Sequence, residues 1–128
     1  MTLGDRAEVT RTYTREMAAA FAGLAGVAEG SITHVPEPLI AALFSYLLGV
    51  RLPGAGTNYL KQDMGFTGKA EFGEALTASV EVTRIRPEKH LVDLETVCRG
   101  ADGRRICMGR ALVLVRDVGY GVAPSSPR

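Results

Sequence analysis

The chain has 128 residues, 46% of them hydrophobic and 23% charged, with a formal net charge of +1. That length and balance fit one globular domain with a core of ordinary size. The basic residues are scattered among acidic ones, which counts against a nucleic-acid partner. No apolar run approaches the roughly 20 residues of a membrane span. The opening Met-Thr-Leu-Gly-Asp-Arg holds no apolar signal core, so no membrane partner and a cytoplasmic location are expected.

Residues 7–14 read as a first strand. Thr14 is a helix N-cap with Glu16 in the first turn. Met17, Phe21 and Leu24 then recur at i, i+4, i+7 and give a short helix one apolar stripe. Residues 25–37 break that period and form a small-residue, polar connection holding both an acid and a histidine. Pro38 suits the first position of the next helix, where its missing N–H costs nothing. Residues 39–48 are apolar almost all round, so this helix is expected to be buried on every side. Gly49 is its C-terminal stop, and residues 51–56 form a loop.

From there the hydrophobic period becomes two. Residues 57–66 read as a strand and residues 72–75 as a turn. A strand over 76–85 places Ala78, Val80 and Val82 on one face. Residues 86–89 are a polar turn whose charges are solvated, and His90 beside them is exposed. A strand over 91–98 places Val92, Leu94, Thr96 and Cys98 opposite Asp93 and Glu95. Asp102-Gly103 is a two-residue hairpin signal, followed by a last strand over 104–116. That hairpin sets Cys98 directly across from Cys107. The compartment favours a reduced pair over a cross-strand disulfide, and the two have no metal-ligand spacing. On the last strand Cys107, Gly109, Ala111 and Val113 form a small-residue face suited to close approach by the central helix. Ile106, Met108, Leu112 and Leu114 form a second apolar face, and a sheet apolar on both sides needs two covers. A second subunit is one such cover, so a homodimer is expected.

Three stretches carry a family resemblance: Leu39-Ile-Ala-Ala-Leu-Phe-Ser-Tyr-Leu-Leu-Gly49; Leu52-Pro-Gly-Ala-Gly-Thr-Asn-Tyr-Leu60 with Gln62 and Phe66; and Gly73-Glu-Ala-Leu-Thr-Ala-Ser-Val-Glu-Val82. Over about residues 35–115 the chain resembles the MaoC-like (R)-specific enoyl-CoA hydratases. The resemblance implies an α+β hot-dog domain over residues 1–118, its antiparallel sheet wrapped around a buried helix at 38–49. Residues 119–128 would be a flexible tail. It implies a dimer that adds water to a trans-2-enoyl thioester of CoA or an acyl carrier, giving the (R)-3-hydroxyacyl thioester.

The family carries Asp-x-Asn-Pro-x-His after its first helix, a longer overhanging segment, and His-Gly before its central helix. This chain lacks that motif as written and most of the overhang, and has Pro36-Glu37 in place of His-Gly. The nearest counterpart is Glu29-Gly-Ser-Ile-Thr-His34, which keeps the acid-to-histidine spacing. Carried over, Glu29 and His34 are the catalytic pair. Ser45 matches a family serine on the central helix, and Glu37 and Tyr59 join it as substrate-contacting residues. Each has a second reading. Glu29 is then a solvated loop acid, His34 a structural histidine, and Ser45 bonds back to the Ala41 carbonyl. Glu37 is then a charge at a helix N-terminus, or an alternative active-site carboxylate, and Tyr59 is packing.

Hydration needs a base to activate water at the β-carbon, an acid to protonate the α-carbon, and donors to the thioester oxygen as enolate charge develops. A carboxylate and a histidine sharing a water supply the first two. Amides at a helix N-terminus supply the third. This chemistry calls for no metal or redox cofactor, and no phosphate-binding glycine fingerprint is present. Two competing readings stay open: a hot-dog thioesterase using Glu37 or Glu29, and a non-catalytic thioester-binding or partner subunit that has lost the catalytic segment.

Overall fold

The computed structural model describes residues 1–25 and 33–115, and within the first helix not the side chains of Ala18, Phe21, Ala22, Leu24 and Ala25. Strand β1 (Arg6–Thr12) leads to helix α1 (Arg15–Ala25), then helix α2 (Glu37–Tyr46), which runs on into a π-helical turn (Leu47–Arg51). Strands β2 (Thr57–Phe66), β3 (Ala75–Arg86), β4 (Leu91–Arg99) and β5 (Arg105–Val115) follow. They form one five-stranded sheet in the order β1-β3-β4-β5-β2, antiparallel throughout. One face packs on α2, and this is the hot-dog arrangement that the resemblance implies. The tail at 119–128 lies outside the described residues.

Period-two alternation built the core as expected. Leu76, Ala78, Val80 and Val82 of β3 are buried, as are Val92, Leu94, Thr96 and Cys98 of β4. Cys107, Ala111, Val113 and Val115 of β5 continue that face. From the other side come Ile40, Leu43, Phe44, Leu47 and Leu48. Each large apolar side chain removed from water this way contributes about 1.5–3 kcal/mol before the cost of ordering it.

Several local expectations need correction. Helix α2 opens one residue early, with Pro36 as N-cap, Glu37 in the first position and Pro38 in the second. It is not buried all round: Ala42, Ser45, Gly49 and Val50 are exposed, because the sheet covers only one side of it. Gly49 does not stop the helix. The chain continues through it, with the Leu52 N–H donating to the Leu47 carbonyl at 2.8 Å, a bond five residues back. Thr14 does cap α1, accepting from the Met17 N–H at 3.3 Å. Met17 itself is 48% exposed and so forms no buried stripe; Phe21 and Leu24 lie outside the described side chains.

Cys98 faces Cys107 as the hairpin predicts, and both are buried free thiols. The turn between them is longer than two residues. Gly100 and Arg104 close it through Gly100 N–H to Arg104 O at 2.9 Å, and Gly103 takes φ +85°. This three-residue loop ends in a left-handed residue. One extra residue, Ile106, then restores the predicted register. Ile106 is therefore buried and does not belong to an outer apolar face. The charges at 86–89 are not all solvated either, since Arg86 Nη2 donates to Asp93 Oδ2 at 2.7 Å. The close approach at Gly109 comes from a strand, not the helix. A Cβ there would run into the Asp63 carbonyl of β2.

Candidate active site

His34 sits where the chain enters α2. The Val35 N–H donates to the Ala70 carbonyl at 2.9 Å and ties this segment to the stretch after β2. Val35 itself is buried, so the histidine beside it is carried on an anchored backbone. His34 Nδ1 lies 3.1 Å from the Thr33 hydroxyl, which leaves Nε2 as the nitrogen open to another partner. His34, Glu37, Ile40, Phe66 and residues 67–70 line a depression of about 270 Å³. One histidine and one carboxylate thus share a hollow that has an apolar floor.

Helix α2 turns its N-terminus to the same place. Pro38 carries no N–H, and the Leu39 N–H is engaged by the Pro36 carbonyl at 3.0 Å. Glu37 keeps its amide in that first turn, where helix-end donors favour negative charge. Its carboxylate also acts on the core beneath. Burial pushes the Cys107 thiol up to about 11, and the Glu37 charge adds to this. The Cys98 thiol is raised to about 11 by burial first, then by Cys107 and Glu74. Neither is an activated nucleophile.

Ser45 and Tyr59 form a second pair. Ser45 lies beside Tyr59: partial burial raises the phenol pKa, and the Ser45 hydroxyl opposes that rise. A bulge makes this possible. Tyr59 pairs with Val113 and Lys61 with Leu112, leaving Leu60 as an extra residue. Tyr59 therefore shares the inner side of β2 with Gln62, Met64 and Phe66 and faces the α2 side. Ser45 stands eight residues beyond Glu37, about 12 Å along the helix. The chain thus brings His34 to Glu37 and Ser45 to Tyr59, but does not merge the two pairs. Glu29 lies outside the described residues.

The wall at residues 67–70 was not anticipated. Its signal is the Gly65-Phe-Thr-Gly68 run at the strand end, a mark of close backbone approach. A Cβ on Gly68 would lie 2.9 Å from the Arg105 carbonyl. A larger hollow of about 470 Å³ lies on the sheet face turned away from α2. It contains the Arg86–Asp93 ion pair and no histidine, whereas the smaller depression sets a histidine beside a carboxylate. Among the described residues no three His, Cys, Asp or Glu side chains gather as a metal site, and no helix is long and apolar enough to cross a membrane.

No family model matches the chain. It is 33% identical to an (R)-specific enoyl-CoA hydratase of Aeromonas caviae over 87% of this chain and 92% of that protein. It is 38% identical to an (R)-specific enoyl-CoA hydratase of Rhodospirillum rubrum over 65% of this chain, and spans 58% of that protein's length. The solved structure of the (R)-hydratase from A. caviae involved in PHA biosynthesis superimposes with a TM-score of 0.81 at 30% identity. That match covers 90% of this chain and 97% of that one.

Proposed function

The chain belongs to the (R)-specific enoyl-CoA hydratases, a family of hydro-lyases, and from that premise we propose that it adds water to a trans-2-enoyl-CoA, giving the (R)-3-hydroxyacyl-CoA. The observation that carries this reading is His34, set on an anchored backbone beside the N-terminus of α2. In the proposed step His34 Nε2 and the Glu29 carboxylate hold one water. One of them takes a proton as the water oxygen bonds to the β-carbon. Electrons shift to the thioester oxygen, and the enolate collapses as the α-carbon gains a proton. The Glu37 amide faces the developing oxyanion. The spacing of Glu29 and His34 supports their pairing, and the Thr33 hydroxyl on Nδ1 favours an open Nε2.

Ser45 and Tyr59 contact the acyl chain, away from the reacting carbons, in keeping with their distance along α2. The substrate is a CoA or acyl-carrier thioester and the location cytoplasmic. The assembly is a homodimer; its support is the outer edge of β2, which no other described strand pairs, and where Tyr59 is 39% and Leu60 53% exposed. A thioesterase or a non-catalytic subunit has no observation of this kind in its favour.

Loss of enoyl absorbance with crotonyl-CoA tests the reading, with an (R)-specific dehydrogenase reporting the product's hand. Purified protein is expected to turn over. His34→Gln and Glu29→Gln are each expected to lower kcat by about 10²–10⁴-fold. Protein inert toward both crotonyl-CoA and longer enoyl-CoA substrates would sink the proposal.

A further inference from the structure

Beside the depression, one partly exposed ion cluster has no part in the chemistry above. The Glu74 side chain is 13% exposed and meets the Arg104 guanidinium with both oxygens, Nη1 to Oε1 at 3.0 Å and Nη2 to Oε2. Glu74 also accepts the Glu71 N–H at 2.7 Å and the Ala101 N–H at 2.9 Å. Arg104 reaches further. Its Nη1 donates to Asp102 Oδ1 at 2.8 Å, and its Nη2 donates to the Lys69 carbonyl at 2.7 Å. The cluster is closely fitted, since a Cβ on Gly100 would lie 2.5 Å from Arg104 Nη1 and 2.7 Å from Glu74 Oε1.

The Lys69 carbonyl belongs to the wall facing His34. That wall is held at its other end by Thr67 and Gly68 N–H bonds to the Ile106 carbonyl, at 2.9 and 3.2 Å. Directly after Lys69 comes Ala70, whose carbonyl receives the Val35 N–H next to His34. A shift at Lys69 thus passes through two consecutive peptide units to the backbone that carries the histidine.

We propose that Arg104, oriented by Glu74, is a positioning residue for His34, acting through the Lys69 carbonyl and the Ala70–Val35 hydrogen bond. The proposal rests on the reading of His34 as the acid–base group. It touches no reacting atom; it sets where the imidazole stands over the substrate. Small displacements of a catalytic group cost rate far more than affinity, so the effect belongs in kcat.

Arg104→Lys is the test. Lysine keeps the charge but is a point donor on a flexible stem, unable to serve Lys69 and both Glu74 oxygens at once. On crotonyl-CoA, kcat is expected to fall about tenfold with KM changed less than about twofold. His34 ring resonances in proton NMR are expected to shift, while those of His90, the chain's other histidine, stay in place. Asp102→Asn keeps an accepting oxygen and should leave kcat within about twofold of wild type. If Arg104→Lys does not fold, Glu74→Gln gives the same two readouts. Wild-type kcat with unmoved His34 resonances overturns the proposal, as does a rise in KM at constant kcat. If the wild-type protein is inert toward enoyl-CoA, the hydratase reading fails alone; the NMR shift then supports the positioning role or, by its absence, removes it.

Discussion

Glu74 shows how one carboxylate ties stability to pH. Hydrogen bonds from Arg104 hold its carboxyl at about 2, below the ordinary 4.5, against an opposing effect of burial, with help from the Glu71 and Ala101 amides. The folded state therefore prefers the ionised form more than the unfolded chain does. Glu74's contribution is complete above about pH 5 and is lost as pH falls from 4.5 toward 2. Urea denaturation of wild type and Glu74→Gln across that window should show the stability gap narrowing as the acid limit is approached. A gap that stays constant from pH 6 to pH 2 would mean that Glu74 titrates normally and that the Arg104 contact is absent in solution. Charge alone did not mark this residue. Glu74 looked like part of a turn in the sequence, because its partner lies thirty positions away across the β4–β5 hairpin.

At the scale of elements, the π turn after α2 makes a distinguishing prediction. Gly49 is exposed, has open space where a Cβ would stand, and is not in the left-handed region. A glycine stop in the left-handed conformation would lose stability on substitution. Here Gly49→Ala should gain about 0.5–1 kcal/mol, since alanine loses less backbone freedom on folding. Chemical denaturation decides the sign. Much of this architecture could be read from the chain because burial repeats locally: every second residue from Leu76 to Val82 of β3 and from Val92 to Cys98 of β4 is buried, all of them apolar but Thr96, and the Cys98–Cys107 register followed from turn chemistry. What could not be read lay where a strand gains a residue. Leu60 and Ile106 each break the alternation. Simple alternation puts Tyr59 with Lys61 and Asp63, whereas the bulge turns it inward to Ser45. The candidate site was legible only in part for a related reason. His34 and Glu37 are near in sequence, but the wall opposite them comes from residues 67–70, brought there by β2 and held by β5.

The whole molecule raises the question of its uncovered edge. The outer face of the sheet offers weaker grounds for a dimer than its residues first indicated. Met108, Leu112 and Leu114 are only half-buried there, but they alternate with Arg110, and Ile106 is already covered by its own chain. The stronger argument comes from β2. Among the described residues it pairs only with β5, on one side, runs ten residues without proline, and leaves a row of backbone donors and acceptors on the other side for which no described strand is a partner. Two such edges meeting antiparallel about a twofold axis would double the five-stranded sheet and leave no free β2 edge. The exposed apolar side chains of Leu60 and of Val50, which is 61% exposed in the π turn, add to the area that such contact removes from water. In sedimentation equilibrium at micromolar concentration the wild-type protein should behave as twice its 13.6 kDa chain. Leu60→Lys places a charge on that edge, where lysine opposes edge-to-edge pairing. It should weaken association by at least about tenfold, equivalent to about 1.4 kcal/mol. The fold should persist, since Leu60 contributes nothing to the core. A wild-type protein that sediments at the mass of one chain throughout that range rules the dimer out.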